Sequence, residues 1–142
     1  MNKLLTPSEW EIMRVIWTLG EATTANQIIH IMHNQKDWQP STVKTLINRI
    51  LKKGFLRTDG ATRNRLYIPT VGEHETMTQT LCATIDDMCA MCIGHTLLDV
   101  LADMTLSQSD ITKLQALLEQ KMKNAPESIA CNCLPENCED CK

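Results

Sequence analysis

The stretch PSTVKTLINRILKKG, residues 40–54, decides the fold of this 142-residue chain. Pro40 suits the first turn of a helix, and Gly54 suits the left-handed residue that follows the last turn. Between them the apolar residues recur at helical spacing and form one stripe, made of Val43, Leu46, Ile47, Ile50 and Leu51. The stretch therefore predicts a helix with one buried face.

The face opposite this stripe is short, polar and basic. At about 100° per residue it carries, with its flanks, Ser41, Thr42, Lys44, Thr45, Asn48, Arg49 and Lys52. No acidic residue occurs from Pro40 to Thr58. An ordinary solvated face is the alternative, but such faces usually mix charges of both signs. The pattern therefore indicates contact with a polyanion such as DNA.

Two shorter helices are predicted before this one. Thr6 and Glu9 have the spacing of a capping box around Pro7, and Gly20 ends the helix that they open. Thr23 or Thr24 caps the second helix.

A β-hairpin is predicted after Gly54. Its strand candidates are residues 55–58 and 65–68, joined through an Asp59-Gly60 turn signal. Three helices followed by a basic hairpin is the order of a winged helix-turn-helix, in which the third helix enters the major groove. We expect a mainly α fold with a small hairpin wing, and a DNA-binding domain over residues 1–71.

This fold assigns roles to the polar residues. The candidates for contacts with base edges are Thr42, Thr45, Asn48 and Arg49, of which Asn suits adenine and Arg suits guanine. The candidates for phosphate contacts are Lys44, Lys52, Lys53, Arg57, Arg63 and Arg65.

The second half of the chain is helical and acidic. Thr70 and Glu73 have capping-box spacing, a long apolar helix follows with a break near Gly94, and a last helix starts at Thr105 or Ser107. Two amphipathic helices beside a small DNA-binding module predict a dimerisation region over residues 72–125. The net charge is +5 over residues 1–71 and −8 over residues 72–142, so we expect only the first half to meet a polyanion.

The tail, residues 126–142, contains a C-x-C-x4-C-x2-C pattern made of Cys131, Cys133, Cys138 and Cys141. Neither a signal peptide nor a membrane span is predicted, so we expect a cytoplasmic protein, where disulfides are rare. Four close thiolates then favour a soft metal, Cu(I) or Zn(II), over a disulfide pair.

Three further cysteines are Cys82, Cys89 and Cys92. Cys89 and Cys92 form a C-x-x-C pair, but no strand precedes it as in a thioredoxin-like motif. On a helix the two share an apolar face, so we expect them to pack in a core or interface. A metal or redox role is the alternative.

Three segments, LTPSEWEIMRVIWTLGEATTANQI (5–28), DWQPSTVKTLINRILKKGFL (37–56) and RLYIPTV (65–71), resemble the BlaI/MecI family of winged-helix repressors. The cysteine tail is similar to that of the CopY branch, the copper-responsive repressors of Gram-positive bacteria. That branch ends in C-x-C-x4-C-x-C, whereas Glu139 and Asp140 separate the last two cysteines here.

The resemblance implies a homodimer that binds a palindromic operator of copper-homeostasis genes. It also implies that Zn(II) on the tail supports DNA binding and that Cu(I), which a copper chaperone would deliver, replaces Zn(II) and releases the operator. The alternatives are a zinc- or redox-responsive repressor of the same fold and a metal storage or delivery protein. No nucleophile-base set surrounds the cysteines, so we do not expect an enzyme.

Overall fold

The structure is a computed structural model that describes residues 4–134. It contains helices α1 (Pro7–Leu19), α2 (Ala25–Lys36), α3 (Pro40–Lys53), α4 (Glu73–Asp86), α5 (Ile93–Asp103) and α6 (Gln108–Met122). It also contains strands β1 (Thr23–Thr24), β2 (Leu56–Thr58) and β3 (Leu66–Pro69), and a single 3₁₀ turn (Ala90–Cys92) before α5. The predicted fold class, mainly helical with a small antiparallel sheet, is confirmed.

The chain divides into two compact units, Met1–Thr80 and Leu81–Lys142. The boundary between these units falls inside α4.

The core of the first unit is formed by α1, α2 and α3. The predicted stripe of α3 supplies much of it, with Val43, Leu46, Ile47 and Ile50 at most 6% exposed. Gly54 ends the helix with φ of 86°, in the left-handed region that residues with a Cβ avoid. The prediction that residues 40–54 form a helix with one buried face is therefore confirmed.

The capping box predicted for α1 is present. The Thr6 side chain accepts a hydrogen bond from the Glu9 N–H, and the Glu9 carboxylate accepts one from the Thr6 N–H at 3.0 Å. Thr24 forms an equivalent box with Gln27 at the start of α2, which decides between the two predicted caps.

The sheet has three antiparallel strands in the order β1-β3-β2, one more than predicted. Arg57 pairs with Ile68 in the hairpin, while Thr23 pairs with Tyr67 on the other edge of β3. The hairpin was predicted from sequence, but β1 was not. A two-residue strand shows no alternation, and its second residue, Thr24, is also the cap of α2.

The capping box predicted for Thr70 and Glu73 is wrong. The helix begins at Glu73 itself, and the Thr70 hydroxyl donates to the Gly54 carbonyl at 2.6 Å. The Thr70 N–H also donates to the Phe55 carbonyl at 2.9 Å. Thr70 therefore ties the residue after β3 to the end of α3 and does not cap α4.

The second unit consists of helices with exposed apolar faces. Among its described residues, 81–134, no hydrophobic side chain is buried. The break in the long helical stretch lies between Asp86 and Ile93, before Gly94 rather than at it. The last helix begins after the Ser107 cap, and Ser107 is one of the two starts that were predicted.

Among residues 4–134, no single helix has both the length and the apolar composition to cross a membrane. By length and composition alone, Glu73–Asp86 and Ala90–Asp103 pass that test only when taken together across a bend.

Candidate nucleic-acid interface and thiol cluster

The outer face of α3 is exposed along its whole length. The seven residues predicted for it are all solvent-exposed: Ser41, Thr42, Lys44, Thr45, Asn48, Arg49 and Lys52. This face carries three cations and no acid, so its electrostatic potential suits a polyanion.

The N-terminus of α3 also favours the binding of a polyanion. Pro40 occupies its first turn, and the Gln39 cap makes no side-chain hydrogen bond. The backbone N–H groups of a helix's first turn point outward and attract anions when no side chain caps them. Thr45 donates its hydroxyl to the Ser41 carbonyl at 2.9 Å, which leaves its oxygen able to accept one more hydrogen bond.

Lys53 differs from the other predicted cations. Its ammonium donates to Oε2 of Glu9 at 2.6 Å and to the Leu4 carbonyl at 2.8 Å. Its side chain is only 20% exposed, and that of Glu9 only 1%. Lys53 thus joins the end of α3 to the first turn of α1, whereas the sequence predicted a phosphate contact for it.

Glu9 has its pKa set by opposing effects. Burial raises the pKa of the carboxyl, but the hydrogen bond from Lys53, the hydrogen bond from the Thr6 N–H and the charges of Lys53 and Arg49 outweigh burial. The pKa therefore lies below its ordinary value, and the carboxylate stays ionised at neutral pH.

The hairpin loop holds its shape through Asp59. Oδ1 of Asp59 accepts hydrogen bonds from the N–H groups of Ala61, at 3.0 Å, and Leu66, at 3.2 Å. The Ala61 hydrogen bond is the largest effect on the pKa of Asp59, which is lowered, and the Arg65 charge acts in the same direction. The Nε atom of Arg65 donates to the Ala61 carbonyl at 2.8 Å. Arg57, Arg63 and Arg65 are all exposed on this hairpin.

A cluster of three thiols lies in the second unit. The Sγ atoms of Cys89, Cys131 and Cys133 all lie within 4.8 Å of one another. Cys89 and Cys131 are 42 residues apart in the chain, and their Sγ atoms are 3.6 Å apart. Three thiols in this arrangement can bind one soft metal ion.

Cys89 is the member of the cluster that sequence reasoning missed. We expected it on a helix face with Cys92, but it precedes the 3₁₀ turn in extended conformation, with ψ of 119°. The C-x-x-C motif was the only signal in the sequence, and it does not reveal that the tail returns to residue 89. The other two predicted ligands, Cys138 and Cys141, lie outside the described residues.

Backbone groups also act on the cluster. The Cys133 N–H donates to Sγ of Cys131 at 3.4 Å. Between the two cysteines, Oδ1 of Asn132 accepts a hydrogen bond from the Ala90 N–H at 2.8 Å.

The chain is similar to known proteins in sequence and in structure. Residues 5–120 match the family model described as penicillinase repressor. An uncharacterized 16.5 kDa protein in the ptsI 3′ region of Latilactobacillus sakei is 44% identical over 138 residues, which are 97% of this chain and 93% of that protein. The methicillin resistance regulatory protein MecI of Staphylococcus aureus strain N315 is 32% identical over 117 residues, 82% of this chain and 94% of MecI.

Among solved structures, the DNA-binding domain of the repressor BlaI is similar at 31% identity, with a TM-score of 0.46. That likeness covers 51% of this chain and 90% of the BlaI domain. The family model covers most of the chain, and the MecI relative exceeds 30% identity over four-fifths of it. The chain therefore belongs to the penicillinase repressor family, the BlaI/MecI family of transcriptional repressors.

Proposed function

We propose that this protein is a metal-responsive transcriptional repressor of copper-homeostasis genes. The observation that carries the DNA-binding part is the outer face of α3, which is exposed throughout, lacks acids and has an uncapped N-terminus. In this proposal α3 lies in the major groove of the operator and the β2–β3 hairpin lies over the flanking backbone.

The contacts follow from side-chain chemistry. Asn48 and Arg49 read base edges by paired hydrogen bonds, with Thr42 and Thr45 beside them. Ser41, Lys44, Lys52, Arg57, Arg63 and Arg65 contact phosphates and fix the register on the duplex. Lys53 is not carried into this set, because its ammonium is held by Glu9 and Leu4.

The repressor acts as a homodimer. The described part of the second unit, 81–134, exposes large apolar residues on α5 and α6, with Leu98 at 64% and Leu118 at 59% exposure. Such faces are too apolar for a solvated surface and have no core of their own to cover. A second copy supplies an identical apolar face, and two-fold symmetry matches a palindromic operator.

Control is exerted through the tail thiolates, Cys131, Cys133, Cys138 and Cys141. Soft thiolates select Cu(I) and Zn(II) over hard cations. Operator binding is supported while the tail holds Zn(II), and is lost when Cu(I), supplied by a copper chaperone, takes its place. The proposal needs the two metal states to differ in operator affinity by a coupling energy of about 1–3 kcal/mol, or about 5–150-fold.

A zinc-responsive repressor is the second candidate. In a tetrahedral Zn(II) site with Zn–S bonds of about 2.3 Å, neighbouring sulfurs lie about 3.8 Å apart. The 3.6 Å between Sγ of Cys89 and Cys131 is close to that value. This spacing fits a site that holds Zn(II), so zinc as the metal that controls release is the second candidate.

The proposal is tested by replacing all four tail cysteines with serine. The variant should remain dimeric, and whatever operator affinity it retains should no longer fall when Cu(I) is added. Release by Cu(I) at the wild-type concentration would show that the tail is not the sensor. The affinity of the variant for an unrelated duplex should equal that of the wild type, because nonspecific binding depends on the basic face and not on the tail.

A further inference from the structure

We propose that Cys89 is a ligand of the metal that the tail binds, so that the metal fastens the tail to the turn that opens α5. The inference rests on the proposed metal binding by the tail and assigns one of the four positions of a tetrahedral site to a ligand outside the tail. It also assigns that metal a mechanical role within the second unit.

The first observation is the distance between the sulfurs. Cys89, Cys131 and Cys133 have their Sγ atoms within 4.8 Å of one another, although Cys89 lies 42 residues before Cys131. At 3.6 Å the sulfurs of Cys89 and Cys131 are well beyond the disulfide bond length of about 2.05 Å. They are close to the separation of two thiolates on one tetrahedral ion.

The second observation is independent of the sulfurs. The 3₁₀ turn that follows Cys89 has no side-chain cap of its own. Asn132 supplies the acceptor instead, since its Oδ1 atom takes the Ala90 N–H at 2.8 Å. The residue between Cys131 and Cys133 thus caps the turn that carries Cys89, which aligns the three thiols.

The chemistry of binding is simple. Each thiol that binds the ion releases one proton to solvent, so three thiolates and one Zn(II) leave a net charge of about −1 on the site. The N–H of Cys133, which donates to Sγ of Cys131, offsets part of that charge. A tetrahedral ion retains one position for a fourth ligand.

The consequence concerns α5. Cys89 lies four residues before Ile93, the first residue of α5, and the exposed apolar face of α5 belongs to the proposed dimer surface. A metal held by Cys89 and the tail fixes the start of that helix. Loss or exchange of the metal then acts on the dimer surface directly, without any contact between the tail and α3.

The test is a thiol-protection experiment on the full-length protein, in the presence of a non-thiol reductant and with Zn(II) as the probe. The protein is alkylated with and without Zn(II), and each cysteine is followed by peptide mass spectrometry. Cys82, exposed on α4 and outside the cluster, is the internal control. Zn(II) should slow alkylation of Cys89, Cys131 and Cys133 by about tenfold or more, since a bound thiolate is no longer available as a nucleophile.

The Cys89→Ser variant provides the second measurement. Its affinity for Zn(II), measured by competition with a chromophoric chelator, should fall by about 10–100-fold or more. Mutating a group that only hydrogen-bonds to a metal ligand already costs about 10–100-fold in metal affinity. The matched Cys82→Ser variant should bind Zn(II) as the wild type does. Helix content measured by circular dichroism shows that both variants are folded.

Two results would overturn the inference. One is alkylation of Cys89 at the Cys82 rate in Zn(II) while Cys131 and Cys133 are protected. The other is unchanged Zn(II) affinity in folded Cys89→Ser. If all three thiols are protected but metal leaves operator binding unchanged, the ligand assignment stands and the proposed metal control of transcription fails.

Discussion

The Nζ atom of Lys53, the last residue of α3, lies 2.6 Å from Oε2 of Glu9 in the first turn of α1. The Glu9 side chain is 1% exposed, whereas that of Lys53 is 20% exposed. The carboxylate of this ion pair is therefore buried and its ammonium is partly accessible to solvent. The same Glu9 carboxylate also accepts the Thr6 N–H at 3.0 Å. One carboxylate therefore caps α1 and fixes the C-terminal end of α3.

Replacing Lys53 with Met should lower the free energy of unfolding by about 3 kcal/mol, because it leaves a buried carboxylate without its partner. Urea denaturation of the full chain measures this. The control is Lys52→Met on the same turn, which is exposed and should change stability by less than about 0.5 kcal/mol. Equal stability of the two variants would mean that the Glu9–Lys53 pair does not hold α3.

Glu9 also predicts a pH dependence. Its pKa is lower in the folded state than the unfolded value of about 4.3, so the unfolded state binds more protons in this range. The stability that Glu9 contributes is complete above about pH 4.3 and is lost as the pH falls through the folded-state pKa. Between about pH 5 and pH 3, stability of the wild type should fall more steeply than that of Glu9→Gln. Parallel slopes would contradict the assignment.

Two α3 variants distinguish phosphate contacts, which position the protein on DNA, from contacts with base edges, which recognise the sequence. Lys52→Ala should weaken binding to every duplex and reduce the slope of log affinity against log salt by about one. Asn48→Ala should cost about 1–3 kcal/mol on the operator and little on an unrelated duplex.

Fluorescence anisotropy at several salt concentrations measures both effects. The control is Lys36→Ala, since Lys36 lies on α2 and pairs with Glu11 at 3.4 Å. If Lys36→Ala and Lys52→Ala lost affinity equally, α3 would not be the DNA-contacting helix.

The proposed dimer surface is tested by introducing a charged side chain into it. Leu118→Glu places a carboxylate in the apolar face of α6 and should weaken self-association by about tenfold or more, since burial of an unpaired charge costs several kcal/mol. Gln120→Glu adds the same charge on the opposite face and should have no effect. Analytical ultracentrifugation over a range of concentrations distinguishes them. A monomeric wild type, or unaltered association of Leu118→Glu, would argue against a dimer through α6.

The sequence predicted those parts of the fold that depend on neighbouring residues. Thr6 and Glu9 are three positions apart, so their capping box was visible in the sequence. The buried stripe of α3 was visible for the same reason, because helical spacing alone places Val43, Leu46, Ile47 and Ile50 on one face.

Predictions failed or were incomplete where a distant group decided the outcome. Thr70 was expected to cap α4, but the Gly54 carbonyl, 16 residues away, takes its hydroxyl. Lys53 was counted among the cations for DNA, which stays a prediction, and nothing in its neighbourhood revealed the ion pair with Glu9, 44 residues earlier. Cys89 was expected to pack in a core or interface, with a metal or redox role as the alternative. No local pattern indicates that the tail returns to residue 89, where Asn132 accepts the Ala90 N–H.

The most direct test of metal-controlled repression is operator affinity measured in three states of the same protein: without metal, with Zn(II), and with Cu(I) added to the Zn(II) form. The protein should bind tightly with Zn(II) and lose about 5–150-fold of its affinity when Cu(I) is added. The loss should be absent in the variant with serine at Cys131, Cys133, Cys138 and Cys141. One dissociation constant shared by all three states of the wild type would contradict metal-controlled repression.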